Sequence, residues 1–464
     1  MSRTAAAAVV RRIRAAGFDA YCVGGCVRDM LLGLEPKDWD IATAARPEEC
    51  MPLFAATREV GRHFGVLQVK EDSVWIEVAT FRSEGPYSDG RRPDHVVFTD
   101  ARADAERRDF TINALFQDPE TGAILDFVGG QADLEARRIR AVGDPAARFA
   151  EDALRLLRAV RFACRLDFEI EPRTWDALCA AAYRVATTSA ERVRDEVIAI
   201  LTGLNPRRGF ELLLESGLLP VILPEVAAYR GVTQSPLHHP EGDVWEHTLR
   251  MLALLEHPSP ELALGVLLHD VGKPVTRSQD AAEIHFYGHE VRGVEIASRL
   301  LDRLRVANAT QDAVLAMIGQ HMRFLDAPRM KQSTRRRFVL QPHFGSILEL
   351  HRLDRLGASG NLAAYDLCRT ELAALAGEPV AEPMRPLLSG HDLVELGIAP
   401  GPEIGRLLAL LVDAQLESEV TNREAARVWM AARCGAVARG PRPGPGPGRG
   451  QASQPPSPQG DEGA

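Results

Sequence analysis

The stretch Tyr21–Thr43, YCVGGCVRDMLLGLEPKDWDIAT, combines a glycine turn with two spaced carboxylates. Its first apolar residues, 21–23, predict a strand that runs into Gly24 and Gly25, and a short helix is expected from about Val27. Because glycine has no side chain, backbone N–H groups at such a turn can close on a phosphate, toward which the positive end of the helix points. This half of the stretch therefore predicts a phosphate-binding turn.

The other half of the stretch places Asp38 and Asp40 on either side of Trp39. In a strand, residues two apart face the same way, so both carboxylates point to one side while Trp39 and Ile41 face the core. Two aligned carboxylates suit paired Mg²⁺ ions, which lie roughly 3.5–4 Å apart in two-metal phosphoryl transfer. Arg28, near the glycine turn, is expected to bind triphosphate oxygens as a charge-assisted fork.

The order G-G-x-V-R-D, L-G and D-x-D over residues 24–40 resembles the signature of the nucleotidyltransferase superfamily, and specifically its class II tRNA nucleotidyltransferase and bacterial poly(A) polymerase branch. The resemblance implies that Asp38 and Asp40 are the catalytic, Mg²⁺-binding pair. It also implies that Gly24, Gly25 and Arg28 bind the nucleotide. The alternative is a glycine turn followed by a solvated acidic strand end, which has to explain Arg28 and both aspartates separately.

Composition sets limits on the class of protein. The chain has 464 residues, 45% hydrophobic and 26% charged, which predicts several globular domains. Apolar runs such as 262–268 are far shorter than the roughly 20 residues of a membrane span, so we expect a cytoplasmic protein without a membrane partner. The seven cysteines show no CxxC spacing, and the net charge of −9 leaves room for local phosphate-binding patches.

Beyond the opening stretch, the first 145 residues alternate between predicted strands and loops. We expect a helix over residues 4–16 and a hairpin of strands Val66–Val69 and Val74–Ala79. Glu77 lies on the second strand, where an exposed position is favoured over a third metal carboxylate. Thr80–Val97 is rich in glycine, proline and arginine and predicts a mobile loop.

A second motif, RRDFTINA, covers residues 107–114. It resembles the second motif of the same family. Asp109 is expected to cap the helix that follows, while Arg108 reaches the nucleotide. Residues 125–130 are expected to close the catalytic sheet.

The segment Glu151–Phe162 predicts one helix with Asp152, Arg155 and Arg158 close to one face and Arg161 at the next turn. One interpretation is a surface ion pair between Asp152 and Arg155. The other is base recognition, because cytosine and adenine each offer an amino donor beside a ring acceptor, which match one carboxylate and one guanidinium. Uracil and guanine present the reverse polarity.

This helix resembles the EDxxR motif of the family, which implies that Asp152 and Arg155 select cytosine and adenine without a nucleic-acid template. The same resemblance places Arg158 and Arg161 among the nucleotide-binding residues. The stretch 189–196 resembles the next family motif, and we interpret it as a capped, ion-paired helix that braces the base-reading helix.

A different chemistry appears between residues 237 and 354. Six residues there have side chains that bind metals: His247, His269, Asp270, His289, His321 and Asp354. Mixed nitrogen and oxygen ligands suit Mn²⁺, Fe²⁺, Ni²⁺, Zn²⁺ or Mg²⁺.

The six residues resemble the set of an HD phosphohydrolase domain. The resemblance implies His247, His269, Asp270 and Asp354 as metal ligands, and His289 and His321 as the extra ligands of two-metal versions. Lys273 is expected near a bound phosphate. The alternative is a degenerate HD fold with a structural role only.

We therefore predict an α+β protein, in which a nucleotidyltransferase head with a small mixed sheet precedes a mostly α-helical body that includes an all-α HD domain. The expected domains are the catalytic head (1–145), a helical base-reading and RNA-binding domain (146–232), the HD domain (233–375), a C-terminal helical tail (376–438) and a disordered Pro/Gly-rich tail (439–464). In the helical tail, a helix, a Gly/Pro turn and a second helix are expected past Ser389.

The implied function is Mg²⁺-dependent addition of CMP and AMP, from CTP and ATP, to the 3′ end of immature tRNA. Family members that add only CC, only A or poly(A) share these motifs. From other classes, the chain is either chiefly an HD phosphohydrolase with an inactive head or a non-catalytic RNA-binding protein. The intact Asp38, Asp40, Asp152 and Arg155 argue against the first, and the paired metal carboxylates argue against the second. The sequence leaves the oligomeric state open.

Overall fold

The structure, a computed structural model, describes residues 3–61, 65–85, 95–235, 242–280, 283–376 and 385–437. It divides into two compact units, one of Met1–Pro328 with His343–Leu367 and one of Arg329–Pro342 with Cys368–Ala464. The first unit contains the mixed-sheet head, a helical body and the helices that match an HD domain. This confirms the predicted fold class, while the boundaries of the five expected domains stay a prediction.

A seven-stranded mixed sheet forms the centre of the head, in the order β3-β4-β5-β2-β1-β8-β9. Its strands are β1 (Ala20–Val23), β2 (Asp40–Thr43), β3 (Thr57–Gly61), β4 (Val66–Glu71), β5 (Val74–Thr80), β8 (Leu115–Gln117) and β9 (Ile124–Asp126), while β6 (Arg82–Glu84) and β7 (Val96–Phe98) form a separate pair. Strands β2 and β5 pair in parallel and place Asp40 opposite Glu77, whereas the other pairs of this sheet are antiparallel.

Five helices accompany the sheet: α1 (Arg3–Ala15), α2 (Gly25–Leu31), α3 (Pro47–Cys50), α4 (Ala101–Glu106) and α5 (Gly130–Glu135). The predicted N-terminal helix is confirmed by α1, which buries Val9, Val10 and Ile13. The predicted hairpin is confirmed by β4 and β5. Its turn residues Asp72 and Ser73 both have positive φ, 46° and 67°, the twist that suits a two-residue hairpin turn.

Two expectations for the head need correction. Strand β2 begins at Asp40, so Asp38 and Trp39 precede the strand rather than lie in it. The alternation nevertheless persists, because Trp39 is 3% and Ile41 0% exposed while Asp38 is exposed. In the expected loop Thr80–Val97, β6 pairs with β7 as a short hairpin, and residues 86–94 lie outside the described residues.

The helical body contains a short parallel strand pair, β10 (Arg138–Ile139) with β11 (Glu169–Ile170). Its helices are α6 (Pro145–Glu151), α7 (Leu154–Leu166), α8 (Pro172–Ala181), α9 (Ala190–Leu201), α10 (Pro206–Glu215), α11 (Leu219–Ile222) and α12 (Pro224–Ala227). The predicted single helix over residues 151–162 is wrong. Asp152 is extended, with φ −143° and ψ 108°, and its carboxylate accepts the Leu154 N–H at 3.0 Å. The chain therefore ends one helix at Glu151 and begins another at Leu154.

The HD segment of the first unit consists of α13 (Val244–Ala253), α14 (Pro260–Leu268), α15 (Lys273–Thr276), the two-stranded pair β12 (Ser278–Gln279) and β13 (Ile284–His285), α16 (His289–Arg303), α17 (Asn308–Gln320) and α19 (Phe344–Gly357). Helix α14 is apolar all round and buries residues 263–268. Its packing against α13, α17 and α19 explains why this helix lacks a polar face.

The second unit contains α18 (Gln332–Val339), the part of α20 (Ala363–Ala376) from Cys368 onward, α21 (Gly390–Glu395), α22 (Pro402–Leu416) and α23 (Arg423–Val437). Its core includes Leu393, Leu407, Leu411 and Met430. Helices α21 and α22 confirm the helix-turn-helix expected past Ser389. The Pro/Gly-rich tail that was expected to be disordered lies outside the described residues.

None of the helices in the described part of the chain combines the length and the hydropathy that crossing a bilayer requires. The cytoplasmic location expected from the sequence stays a prediction.

Candidate active site

The glycine turn of the head is a conformation that only glycine adopts readily. Gly24, with φ 78° and ψ −128°, donates its N–H to the Leu115 carbonyl at 3.1 Å, and α2 begins at the next residue. A Cβ added to Gly24 would lie 3.2 Å from Nη1 of Arg108. The turn thus brings the backbone close to a guanidinium, as a phosphate-binding turn requires.

Three carboxylates lie at or beside the start of β2. Asp40 lies opposite Glu77 in the parallel register, and Asp38 is two residues before it on the same side. Burial raises the pKa of Asp40, and Asp38 adds to this rise while Arg108 opposes it. Burial and the charge of Asp40 likewise raise the pKa of Glu77. Glu77 is exposed, as expected from the sequence, yet its register makes it a neighbour of the predicted metal pair.

Arg28 is buried and already paired. It is 2% exposed, its Nε and Nη2 donate to one Asp29 oxygen at 2.8 and 2.6 Å, and its Nη1 donates to Oδ1 of Asn113 at 2.6 Å. Its guanidinium also lies 5.1 Å from the Phe162 ring centre. The expected contact between Arg28 and a triphosphate stays a prediction. In the protein alone, Arg28 joins the turn to the RRD motif.

The RRD motif places the side chains of Arg108 and Asp109 differently from one another. Arg108 donates to one oxygen of Asp104 at 3.2 and 3.0 Å and lies beside Gly24. The expected helix cap at Asp109 is wrong, because the short helix after it, Thr111–Asn113, begins after Phe110 and has no side-chain cap. Asp109 instead accepts hydrogen bonds from Asn113 at 3.2 Å and from Arg158 at 2.8 Å, and it accepts its own neighbour's N–H at 2.8 Å.

The EDxxR segment does not contain the surface pair that the sequence offered as one interpretation. Asp152 is bound by Nη1 and Nη2 of Arg192, at 3.1 and 2.7 Å. Arg155 pairs with Glu151 and donates to the carbonyls of Arg148 at 3.1 Å and of Arg107 at 3.3 Å. Asp152 and Arg155 therefore each have a separate ionic partner.

Sequence reasoning missed Arg192, Glu151 and Asn113 as residues of this site. All three lie inside the sequence motifs described above, but the sequence alone does not show which side chain each of them contacts. The stretch 189–196 does brace the neighbouring helix as expected, since Arg161 also pairs with Glu196 at 2.7 Å. Its expected cap is wrong, because the Ser189 side chain accepts no cap hydrogen bond.

The HD segment gathers its six predicted residues into two buried groups, His247 with His269 and Asp354, and Asp270 with His289 and His321. Within each group the possible ligand atoms lie within 4.8 Å of one another. His247 Nε2 lies 3.2 Å from Oδ1 of Asp354, and His269 Nε2 lies 3.1 Å from Oδ2 of Asp270. The tertiary structure thus unites residues that are up to 107 positions apart in the chain.

Three of the histidines are oriented in the same way. His269, His289 and His321 each direct Nδ1 at a backbone carbonyl three residues earlier, at 2.9, 2.8 and 2.7 Å. An Nδ1–H that donates to a carbonyl leaves Nε2 with its lone pair, which is the form that binds a metal. The Nε2 atoms of His289 and His321 lie only 3.1 Å apart.

Two facing lone pairs at this distance fit a shared cation. Burial lowers the pKa of His289 and lowers the pKa of His321 to about 3, so neither ring supplies the proton at neutral pH. Burial alone raises the pKa of Asp270, but His269 and Lys273, whose ammonium lies 2.7 Å away, hold it well below its usual range. The donor set, neutral imidazoles with carboxylates, suits a divalent metal. A cavity of about 530 Å³ opens beside it.

Comparison with known proteins places both sites in a family. Residues 20–140 match the Poly A polymerase head domain, residues 167–230 the probable RNA and SrmB-binding site of polymerase A, and residues 244–342 the HD domain. A CCA-adding enzyme of Levilactobacillus brevis is 34% identical over 424 residues, which cover 90% of this chain and 95% of the relative. This chain belongs to the CCA-adding enzyme family. It is accordingly a nucleotidyltransferase.

Further relatives agree. A CCA-adding enzyme of Lactococcus lactis subsp. lactis is 33% identical over 90% of this chain and 94% of the relative. The crystal structure of Bacillus stearothermophilus CCA-adding enzyme in complex with CTP is 27% identical, covers 94% of this chain and 98% of that one, and has a TM-score of 0.73. The Thermotoga maritima CCA-adding enzyme complexed with tRNA shares the fold, with a TM-score of 0.58 at 20% identity over 92% of this chain and 94% of that one.

The histidine environment predicts how the stability of the metal-free protein depends on pH. The folded pKa of His321 is about 3 and the unfolded value is about 6.5, so below pH 6.5 the unfolded chain binds a proton that the folded protein does not. The contribution of this group to the free energy of unfolding is then fully present above pH 6.5 and is lost on acidification. The loss from this one group is about 1.5 kcal/mol between pH 6.5 and 5.

Urea unfolding of chelator-treated protein at several pH values measures this loss. His321→Asn should reduce the slope of the unfolding free energy against pH by the equivalent of about one proton. His391→Asn, at an exposed histidine, is the control and should leave the slope unchanged. Equal slopes for wild type and His321→Asn would contradict the neutral assignment of His321.

Proposed function

We propose that this enzyme adds CMP and AMP in turn to the 3′ end of tRNA that lacks its CCA terminus, with CTP and ATP as substrates. The observation that carries the proposal is that relatives matched over about nine-tenths of this chain bear the name CCA-adding enzyme. Those names favour complete CCA addition over CC-only, A-only or poly(A) addition.

Asp38 and Asp40 would hold Mg²⁺, with Glu77 beside them. The residues fit this ion because all three supply oxygen and because the raised pKa values of Asp40 and Glu77 reflect burial and mutual repulsion that a cation removes. When bound, Mg²⁺ supplies the positive charge that favours deprotonation of an attacking hydroxyl and release of pyrophosphate. The protein would contribute the carboxylate oxygens of Asp38 and Asp40, with Glu77 as their neighbour in the strand register.

The glycine turn and Arg108 would receive the triphosphate. Gly24 leaves room for a close approach of backbone N–H groups, and the guanidinium of Arg108 lies 3.2 Å from the position of its missing Cβ. Arg28 would stabilise this arrangement through its hydrogen bonds to Asp29 and Asn113.

Asp152 and Arg155 would read the base edge. A carboxylate has about four acceptor positions, of which Arg192 uses two and the Leu154 N–H one, so a position remains for the amino group of cytosine or adenine. Arg155 has five N–H donors and makes three contacts among the described residues, which leaves donors for the ring acceptor. Uracil or guanine would place acceptor against acceptor and leave buried groups unpaired.

The metal carboxylates generate the first prediction for this function. Asp38→Ala or Asp40→Ala should abolish transfer of both CMP and AMP, because either base requires the same ion, while tRNA binding is largely retained. Incorporation of labelled CTP and ATP into tRNA lacking its 3′ end, together with a gel-shift assay, measures both quantities. The control is Glu35→Ala, which removes an exposed carboxylate three residues before Asp38 and should transfer both nucleotides normally. Substantial transfer by either aspartate variant with Mg²⁺ would rule out these residues as the metal pair.

Base selection generates the second prediction. Asp152→Ala and Arg155→Ala should admit UMP or GMP and reduce discrimination about 5- to 150-fold each, the equivalent of about 1–3 kcal/mol per lost base contact. Sequencing of products made with each of the four nucleotides measures selectivity. Arg173→Ala, at an exposed position of α8, is the control. Slower transfer with unchanged selectivity would assign Asp152 and Arg155 a structural role only.

We further propose that the HD segment binds a transition metal and hydrolyses phosphoesters. The observation that favours this second activity is the pair of buried groups, in which oriented imidazole lone pairs converge with carboxylates. Lys273 lies 2.7 Å from Asp270 and borders the cavity, where its ammonium would face a phosphate. A bound divalent ion supplies Lewis-acid activation of a phosphoryl group and of water. A segment with only a structural role would not require lone pairs that face one another.

Metal removal tests this second activity. Metal analysis should find a transition metal in the wild type and little in His269→Ala/Asp270→Ala, and hydrolysis of a 2′,3′-cyclic nucleotide should be lost in that variant while nucleotide addition is retained. His391→Ala is the control. A protein that binds no metal and hydrolyses nothing with Mn²⁺, Ni²⁺ or Mg²⁺ supplied would make the HD segment a scaffold. Loss of nucleotide addition in a folded variant would show that the two sites are coupled.

A further inference from the structure

One buried histidine beside the HD groups belongs to neither of them. His351 lies on α19, one helical turn before Asp354, and it lines the cavity that also borders His269, Asp270 and Lys273. It is 3% exposed. The sequence motif around Asp354 contains this residue, but sequence reasoning assigned it no role.

Neither ring nitrogen of His351 has a hydrogen-bond partner among the described residues. Buried polar side chains are nearly always hydrogen-bonded, and an unsatisfied one carries a desolvation penalty. Burial lowers the pKa of His351 to about 4, with Asp354 opposing the shift and Arg355 adding to it. The ring is therefore neutral at pH 7 and presents one N–H donor and one acceptor.

The orientation of the ring is fixed by packing. Phe324 stacks on it with the ring centres 4.0 Å apart and the planes inclined by 3°, and Phe344 stacks on Phe324 with the centres 6.2 Å apart. Phe324 is itself fully buried. His351 cannot turn its plane without breaking this stack, so packing holds the ring in this orientation.

The neighbouring residue supports a ligand at this wall. Arg355 also lines the cavity, its Nη2 donates to Oδ2 of Asp354 at 3.0 Å, and its buried Nε has no hydrogen-bond partner among the described residues. One turn of α19 thus contains an imidazole and a guanidinium nitrogen without partners in the described part of the chain, next to a predicted metal ligand. An oxygen-rich ligand satisfies both.

We propose that His351 is a substrate-binding residue of the HD cavity, hydrogen-bonding an oxygen of a phosphoester whose phosphate lies at the two metal-binding groups. This inference rests on the hydrolytic activity proposed above and adds a residue to it. The matching chemical group is a hydroxyl or phosphoryl oxygen near the scissile bond, because a neutral imidazole can donate to either.

The test compares His351→Phe, which keeps an aromatic ring against Phe324 and removes both nitrogens, with His351→Asn, which keeps a donor and an acceptor. Full-length, Mn²⁺-loaded protein is assayed for hydrolysis of 2′,3′-cyclic AMP and, by calorimetry, for binding of AMP. His351→Phe should raise KM and the AMP Kd at least tenfold, with metal content and nucleotide addition unchanged. His351→Asn should recover most of the affinity. The Tm of His351→Phe should equal or exceed that of the wild type, because an unsatisfied buried polar group is removed.

Each of the following results would contradict the proposal. Unchanged KM and Kd in His351→Phe, with an active wild type, overturn the role of His351 alone. Loss of metal in His351→Phe, or a lowered Tm with no change in affinity, assigns it a structural role and overturns the proposal. A wild type that neither hydrolyses the cyclic nucleotide nor binds AMP overturns the proposed hydrolase and this inference together. Should His351→Phe fail to fold, His351→Leu carries the same comparison.

Discussion

Ion pairs between the sheet loops and α7 hold the nucleotide site of this protein together. Asp109 binds Arg158 at 2.6 Å, and Asp29 binds both Arg28 at 2.6 Å and Arg165 at 2.9 Å. The carboxylates of these pairs are largely buried, so loss of an arginine would leave a charge without its counterion. The pairs hold α7, which begins inside the EDxxR segment, against α2 and the RRD motif, so the residues proposed to read the base and the proposed phosphate-binding turn belong to one packed arrangement.

The same principle explains why the residues expected to contact the nucleotide are already engaged in the protein alone. A guanidinium or carboxylate that waits in a partly buried site costs free energy unless it is paired. Arg192 holds Asp152 and Glu151 holds Arg155, and each pairing leaves hydrogen-bonding capacity for a base. Such preorganisation lowers the entropy lost when the nucleotide binds, since the side chains are ordered beforehand. In the proposed function, selectivity for two bases would depend on these two fixed side chains.

The two candidate sites solve the problem of holding a cation with different donors. The head places carboxylates near one another, and desolvation, with the charge of Asp38 acting on Asp40 and that of Asp40 acting on Glu77, raises the pKa of Asp40 and of Glu77. The HD segment turns neutral imidazoles so that the Nε2 lone pairs of His289 and His321 meet at 3.1 Å. Oxygen donors suit Mg²⁺ and imidazole donors suit transition metals, so one chain can use different ions at two centres. His351 differs from both sets, because neither of its nitrogens has a hydrogen-bond partner among the described residues and the residue lines the cavity beside the predicted ligands.

The sequence by itself determined the α+β class, the glycine turn, the carboxylate pair and the identity of the six candidate HD ligands, because these depend on residue type and on short motifs. Local rules failed where a partner lies far along the chain. The break at Asp152, the missing cap at Asp109 and the pairing of Arg28 all follow from residues 40 or more positions away, Arg192, Arg158 and Asn113. Only the tertiary structure placed Glu77 beside Asp40 and divided the HD ligands into two groups, since strand register and helix packing, rather than residue spacing, decide which distant side chains meet.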